Sequence, residues 1–255
     1  FVSGISSKEY NLLRDSADRP LFNRSIRGHY PPASTLKPFV ALAGLERGVI
    51  KSNSKTLCPG WYKLPGHDHR YRCWKTHGHG IVDLKQSLAQ SCDVYFYDLA
   101  NSMGINQLHG FLDHFGFGHL TGIDVPSESS GLSPSREWKI KAKNQVWYPG
   151  ETLISGIGQG FNQTTPVQLA QATAMLAMRG VHVKPKVARA IRDYNTNELT
   201  LLSSETAESL PVINKKNWES VIDSMVEVTT GARGTARLLG KTLPFNVAGK
   251  TGTAQ

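Results

Sequence analysis

Apolar residues in this chain fall into blocks, and each block ends on a turn signal. Phe39, Val40, Ala41, Leu42, Ala43 and Leu45 form the densest block and predict a buried helix from Ser34 to Arg47. Ser34 stands at its start, where serine is favoured, and Gly48 follows its end. The Pro31-Pro32 pair bars an earlier entry. Further on, Asp83 is placed to cap a short helix carrying Leu84 and Leu88, and the pattern breaks at Ser91. Tyr95, Phe96, Leu99 and Ala100 then predict a second helix over Asp93–Met103. Pro166–Arg179, with proline in the first turn and Gly180 after the end, reads as a core helix. Irregular structure with short strands is expected over Val181–Leu210, and a helix over Lys215–Thr230. Val247, Thr251 and Thr253 suggest a strand within Asn246–Gln255.

Three short motifs lie on these elements in a fixed order: Ser34-Thr35-Leu36-Lys37, Ser91-Cys92-Asp93 and Lys250-Thr251-Gly252-Thr253. As S-x-x-K, S-x-D and K-T-G they are the parts of an active-site serine acyltransferase. A serine hydroxyl needs a base beside it, and residues three apart on a helix share a face. Lys37 is therefore placed one turn from Ser34. A lysine acts as a base when burial and nearby cations lower its pKa, and this helix is too apolar to lie on the surface. Ser91, on a turn between two helices, projects a hydroxyl toward the same cleft. Gly249 and Gly252 allow a substrate backbone to approach, while Lys250, Thr251 and Thr253 offer a charge and hydroxyls to a carboxylate. A second S-x-x-K, Ser52 to Lys55, lies in a polar run that reads as a loop. Gly156-Ile157-Gly158-Gln159-Gly160 has no preceding strand, so it reads as backbone shaping near the cleft and not as a phosphate loop.

With these motifs the chain resembles the transpeptidase domain of class B penicillin-binding proteins, most closely their cell-elongation type. Arg19-Pro20-Leu21-Phe22-Asn23-Arg24, Tyr30-Pro31-Pro32, Gly78-His79-Gly80, the Gly156–Gly160 run and Thr165-Pro166 with Gln168 extend the resemblance over nearly the whole chain. Ala33 departs from it, because relatives often carry glycine before the nucleophile. The resemblance implies an α+β fold: a helical subdomain beside a central antiparallel sheet that is incomplete in this piece. Residues 1–255 would be one domain, with a membrane anchor and a non-catalytic pedestal upstream and sheet strands downstream. It also implies that Ser34 attacks the D-Ala–D-Ala bond of a peptidoglycan stem peptide and that Lys37 takes its proton. Ser91 would relay a proton to the leaving amine while Asp93 holds the network. Lys250, Thr251 and Thr253, with Gly252 between them, would bind the donor carboxylate, and the backbone N–H groups of Ser34 and Thr253 would form the oxyanion hole. β-Lactams would acylate Ser34. The implied setting is the periplasmic face of a bacterial inner membrane, beside a membrane glycosyltransferase of the elongation machinery. A serine β-lactamase and a non-catalytic β-lactam sensor share the three motifs. The first is disfavoured because no E-x-x-x-N element lies between the second and third.

Cysteine usage adds a metal expectation. Cys58, Cys73 and Cys92 are the chain's three cysteines, and His67, His69, His77 and His79 share their window. Three cysteines and a histidine make a tetrahedral zinc set. The spacing matches no zinc-finger signature, so the fold would have to assemble the site. His79 is the expected fourth ligand, because it sits between two glycines in a feature shared with relatives. His77, His67 and His69 are the alternates. A Cys58–Cys73 disulfide with Cys92 free, or three unrelated thiols, are the competing readings. Zinc would be structural, since the acyl transfer itself needs no cofactor.

Composition changes this picture little. The chain is 39% hydrophobic and 19% charged, which suits a folded domain. Its net charge of +9 is dispersed without an aromatic-interleaved basic stripe, which argues against nucleic acid and suits carboxylate-bearing peptides. It contains no run of 18 apolar residues, the length needed to cross a bilayer.

Overall fold

In the computed structural model, which describes residues 3–202, 209–210 and 214–254, the helical part expected from the sequence surrounds one buried helix. That helix, Lys37–Glu46, buries every residue from Lys37 to Leu45. It is apolar nearly all round, as a helix without a solvent face must be. Phe39 meets Phe115 and Phe117 edge-on, each with ring centroids 5.1 Å apart. Helices Asp93–Met103, Ile105–His114 and Lys215–Thr230 pack around it.

The predicted helix start is altered in an informative way. Ser34 does not cap an α-helix; it lies in a 3-10 turn, Ala33–Leu36, that leads into the helix. An α-helical start would require the N–H of residue 38 to bond the carbonyl of Ser34, and Pro38 has none. The Lys37 N–H bonds the Ser34 carbonyl instead, closing the tighter ring.

The other helices follow their signals. Asp83 caps Leu84–Ala89 through a reciprocal box with Gln86 at 2.8 and 3.3 Å. Asp93–Met103 and Lys215–Thr230 form over the expected residues. The Pro166 helix ends at Ala177, two residues short of Arg179. Ser52–Lys55 is a loop, and short strands Ala190–Arg192 and Leu199–Leu201 pair within the region expected to be irregular. Residues 203–208 of that region lie outside the described ones.

Strands among the described residues form three two-stranded antiparallel sheets. Two of them, Thr56–Cys58 with Gly80–Val82 and Trp61–Lys63 with Arg70–Arg72, lie beside the helix Asp93–Met103. The strand expected over Asn246–Gln255 is not formed among residues 246–254, and Gln255 lies outside the described residues. A strand exists through its ladder, and among the described residues no strand runs alongside to supply one. The helix Lys215–Thr230 takes its place: Gly249 N–H donates to the Met225 carbonyl at 3.1 Å, and the Thr229 hydroxyl donates to the Val247 carbonyl at 2.6 Å.

Candidate active site

The three motifs converge. A cavity of about 690 Å³ is lined by Ser34, Ser91, Asp93, Thr251 and Thr253. Lys37 lies beneath it, completely buried, with Nζ 2.7 Å from Asp93 Oδ1, 3.0 Å from the Ser91 carbonyl and 3.3 Å from Ser91 Oγ. These three bonds use all the donors of an ammonium. The sequence expectation set Lys37 against Ser34; the structure brings it to Ser91 and Asp93, and no hydrogen bond joins it to Ser34 among the described residues.

Lys250 approaches Ser91 from the other side, its Nζ 2.9 Å from Ser91 Oγ. Ser91 Oγ thus bridges two lysines. Burial first, and then the positive charge of Lys37, pull the Lys250 pKa down to about 7, while Asp93 opposes the shift. The Lys250 cation is therefore present below about pH 7 and is lost above it. If that cation holds a substrate carboxylate, acylation by a carboxylate-bearing β-lactam should carry a limb that falls as pH rises through this range. Lys250→Arg should remove the limb, because guanidinium stays charged. A pH profile of the second-order acylation constant checks both points, and an unchanged limb in the arginine variant would refute the assignment.

The backbone around Ser34 and Ser91 is held in uncommon conformations. Ala33 has φ +49° and Ser91 φ +54°, both in the left-handed region that costs side chains about 1–2 kcal/mol. This left-handed backbone gives a physical reason for the glycine that the resemblance leads one to expect in place of Ala33. The Ala33 N–H donates to the Gly158 carbonyl at 2.8 Å. A Cβ on Gly158, itself at φ +71°, would lie 2.2 Å from the Ala33 carbonyl oxygen. The glycine run thus shapes backbone next to Ser34, as its sequence suggests.

Several cleft residues carry no local sequence signal. The Trp74 backbone N–H donates to Asp93 Oδ2 at 2.9 Å, and its indole N–H reaches the Gln90 and Ser91 carbonyls at 3.0 and 3.1 Å. Trp74 therefore fixes both ends of the second motif. The hydroxyls of Thr235 and Thr251 lie 2.9 Å apart, and Gln159 Nε2 donates to the Thr253 carbonyl at 3.1 Å. The position of Trp74 directly after Cys73 was the one available hint.

Below the second motif the three cysteines and His79 meet, as predicted. Their ligand atoms all lie within 4.8 Å of one another. All three thiols are buried and free, so they form no Cys58–Cys73 disulfide, and they are not unrelated. Sγ of Cys58 and Sγ of Cys73 each stand 3.5 Å from His79 Nδ1. Zn–S and Zn–N bonds of about 2.3 and 2.0–2.1 Å at a tetrahedral angle give an edge of about that length. The alternates His67, His69 and His77 are not in this group. Gly78 makes the approach possible: at φ +75°, a Cβ there would sit 2.1 Å from the Cys58 carbonyl oxygen. Hydrogen bonding from Cys92 pulls the Cys73 thiol pKa down, whereas the same bond and burial push Cys92 up. One sulfur already favours the thiolate form a metal needs. Cys92 also stands at the cap position of the helix Asp93–Met103, between Ser91 and Asp93.

With the fold and cleft established, comparison places the chain. It belongs to the family described as the penicillin binding protein transpeptidase domain, matched over residues 2–255. It is 43% identical over its whole length to the peptidoglycan D,D-transpeptidase MrdA of Acinetobacter baumannii, of which it spans 37%. A crystal structure of Pseudomonas aeruginosa PBP2 in complex with WCK 5153 superposes with a TM-score of 0.90 at 49% identity, covering 99% of this chain and 56% of that one. Helicobacter pylori PBP2 in complex with MreC gives 0.87 at 34% identity, covering 99% of this chain and 45% of that one. The chain thus shares the α+β transpeptidase fold over its full extent while spanning well under two thirds of the relatives it matches.

Proposed function

We propose that this chain is the catalytic part of a peptidoglycan D,D-transpeptidase that β-lactams inhibit covalently. The observation that carries the reading is the convergence of Ser34, the Lys37–Ser91–Lys250 network and Thr251–Thr253 on one cleft. Ser34 Oγ attacks the carbonyl carbon of the D-Ala–D-Ala bond, and the terminal D-alanine carboxylate binds at Lys250, Thr251 and Thr253, with Gly252 giving backbone access. Lys37 is the base that takes the serine proton. The ammonium paired with Asp93 is the form it then assumes, so Asp93 stabilises the charge that appears as the serine is deprotonated. Ser91 passes a proton to the departing D-alanine amine, and backbone N–H groups of Ser34 and Thr253 support the tetrahedral oxyanion. An amine of a second stem peptide attacks the acyl-serine, forms the new amide and returns the proton to Ser34 Oγ.

The Cys58, Cys73, His79 and Cys92 group suits one structural zinc ion, with three sulfurs and Nδ1 as donors. It would fasten the turn carrying Ser91 and Asp93. Sequence resemblance supports a place on the periplasmic face of the inner membrane, held by an N-terminal helix, beside a membrane glycosyltransferase. The helices among the described residues include none long and apolar enough to cross a membrane. The H. pylori complex adds MreC as a model for a partner.

The test is a mass measurement on the intact protein after β-lactam treatment, followed by incubation with stem peptides. The reading expects one adduct on Ser34 that persists, and cross-linked dimers from untreated protein. Rapid loss of the adduct with turnover would mean a β-lactamase; a persistent adduct without cross-linking would mean a sensor.

A further inference from the structure

One wall of the cleft carries cations that the proposed chemistry leaves unused. The strand Arg70–Arg72 pairs with Trp61–Lys63 in the register Trp61↔Arg72, Tyr62↔Tyr71, Lys63↔Arg70. Period-two alternation sends Tyr62 and Tyr71 to one face, where their rings lie 6.3 and 5.9 Å from that of Tyr97. The opposite face therefore presents Lys63, Arg70 and Arg72 together. Lys63 is paired with Asp68 at 2.8 Å, and Arg70 lies over the Trp61 ring at 4.5 Å. Arg72 is exposed, and its guanidinium makes no hydrogen bond, ion pair or ring contact with any described residue.

That guanidinium stands on a fixed base. The Arg72 carbonyl accepts a bond from the Tyr97 hydroxyl at 3.2 Å, and the next residue, Cys73, donates its N–H to the Gly60 carbonyl at 2.8 Å. Arg72, Arg70 and His69 line the same cavity as Ser34, and they also line an adjoining cavity of about 830 Å³. The carboxylates along these two cavities are already engaged: Asp93 by Lys37 and the Trp74 N–H, and Asp68 by Lys63. An unpaired guanidinium on a fixed backbone, lining the cleft, is matched in shape and charge to a carboxylate, which it can grip with two parallel bonds.

We propose that Arg72, with Arg70 on the same strand face, forms a subsite for a second carboxylate of the donor peptide, separate from the terminal one held at Lys250–Thr253. Arg72 would thereby favour a donor with a free carboxylate on a residue before its D-Ala-D-Ala end. This rests on the transpeptidase reading and adds to it a determinant of donor choice. Arg72 acts in binding and is not required for the acyl transfer itself.

The experiment uses the intact protein and two synthetic ester donors that differ in one group: a side-chain carboxylate before the D-Ala end, or its carboxamide. Arg72→Ala should lower the second-order acylation constant for the carboxylate donor about tenfold to a hundredfold, the range of a charged hydrogen-bonded contact. The carboxamide donor should react with both proteins alike, and Arg72→Lys should restore part of the loss. Acylation by a β-lactam whose side chain has no carboxylate should be unchanged in every variant, showing that the cleft is intact. Equal losses with the two donors, or no loss with the carboxylate donor, would overturn the subsite. Parent protein that neither the β-lactam nor either donor acylates would overturn the transpeptidase reading and the subsite with it.

Discussion

Lys37→Met should lose β-lactam acylation by about 10²–10⁴-fold, the usual contribution of a positioned general base. It should also lose about 3–5 kcal/mol of stability. The second effect follows from burial. The Lys37 side chain has no exposed surface, and its ion pair with Asp93 spans 2.7 Å. Methionine leaves Asp93 with the Trp74 N–H and a carboxylate charge without a counter-ion. The two effects can be separated by adding Asp93→Asn, which keeps an acceptor for Trp74 and removes the stranded charge. The double variant should regain most of the stability and none of the acylation. Chemical denaturation and stopped-flow labelling read the two quantities. A single variant that unfolds more easily yet acylates at the parent rate would remove Lys37 from the chemistry and leave it a structural role.

Removing metal should have the second large effect. Protein purified without chelator should carry one zinc by native mass, and Cys92→Ser should abolish it. At free zinc a thousandfold above its dissociation constant, binding contributes about 4 kcal/mol. In a domain of this size that corresponds to a fall in melting temperature of about 8–16 °C on chelation. Acylation should slow as well, because Cys92 lies between Ser91 and Asp93, at the N-cap position of the helix that begins at Asp93. Equal acylation rates before and after chelation, in protein shown by mass to have lost its ion, would disconnect the cluster from catalysis.

Much of this was legible where local rules and tertiary demands agree. Asp83 with Gln86, and the apolar face of Asp93–Met103, specify their helices through contacts a few residues apart. The turn carrying Ser34 was half legible: its helix was evident, but one missing N–H at Pro38 decides that Ser34 sits on a 3-10 turn. Residues 246–254 show the opposite case, since their β-like composition cannot act without a neighbouring strand. The metal-type cluster was readable because cysteine and histidine density is visible without knowing the path of the chain. Which oxygen Lys37 would face was not readable, and neither were the roles of Trp74 and Thr235. Those depend on residues far away in sequence: Trp74 reaches the second motif through its backbone N–H and its indole N–H, and Thr235 reaches Thr251 through its hydroxyl.

The position of Cys92 also changes what a labelling experiment measures. If the cluster sets the aim of Ser91 and Asp93, a preparation with mixed loading contains two populations, one fast and one slow toward a β-lactam. The amplitude of the fast phase would then count occupied metal sites, making a covalent antibiotic a gauge of how much of the protein has its ion.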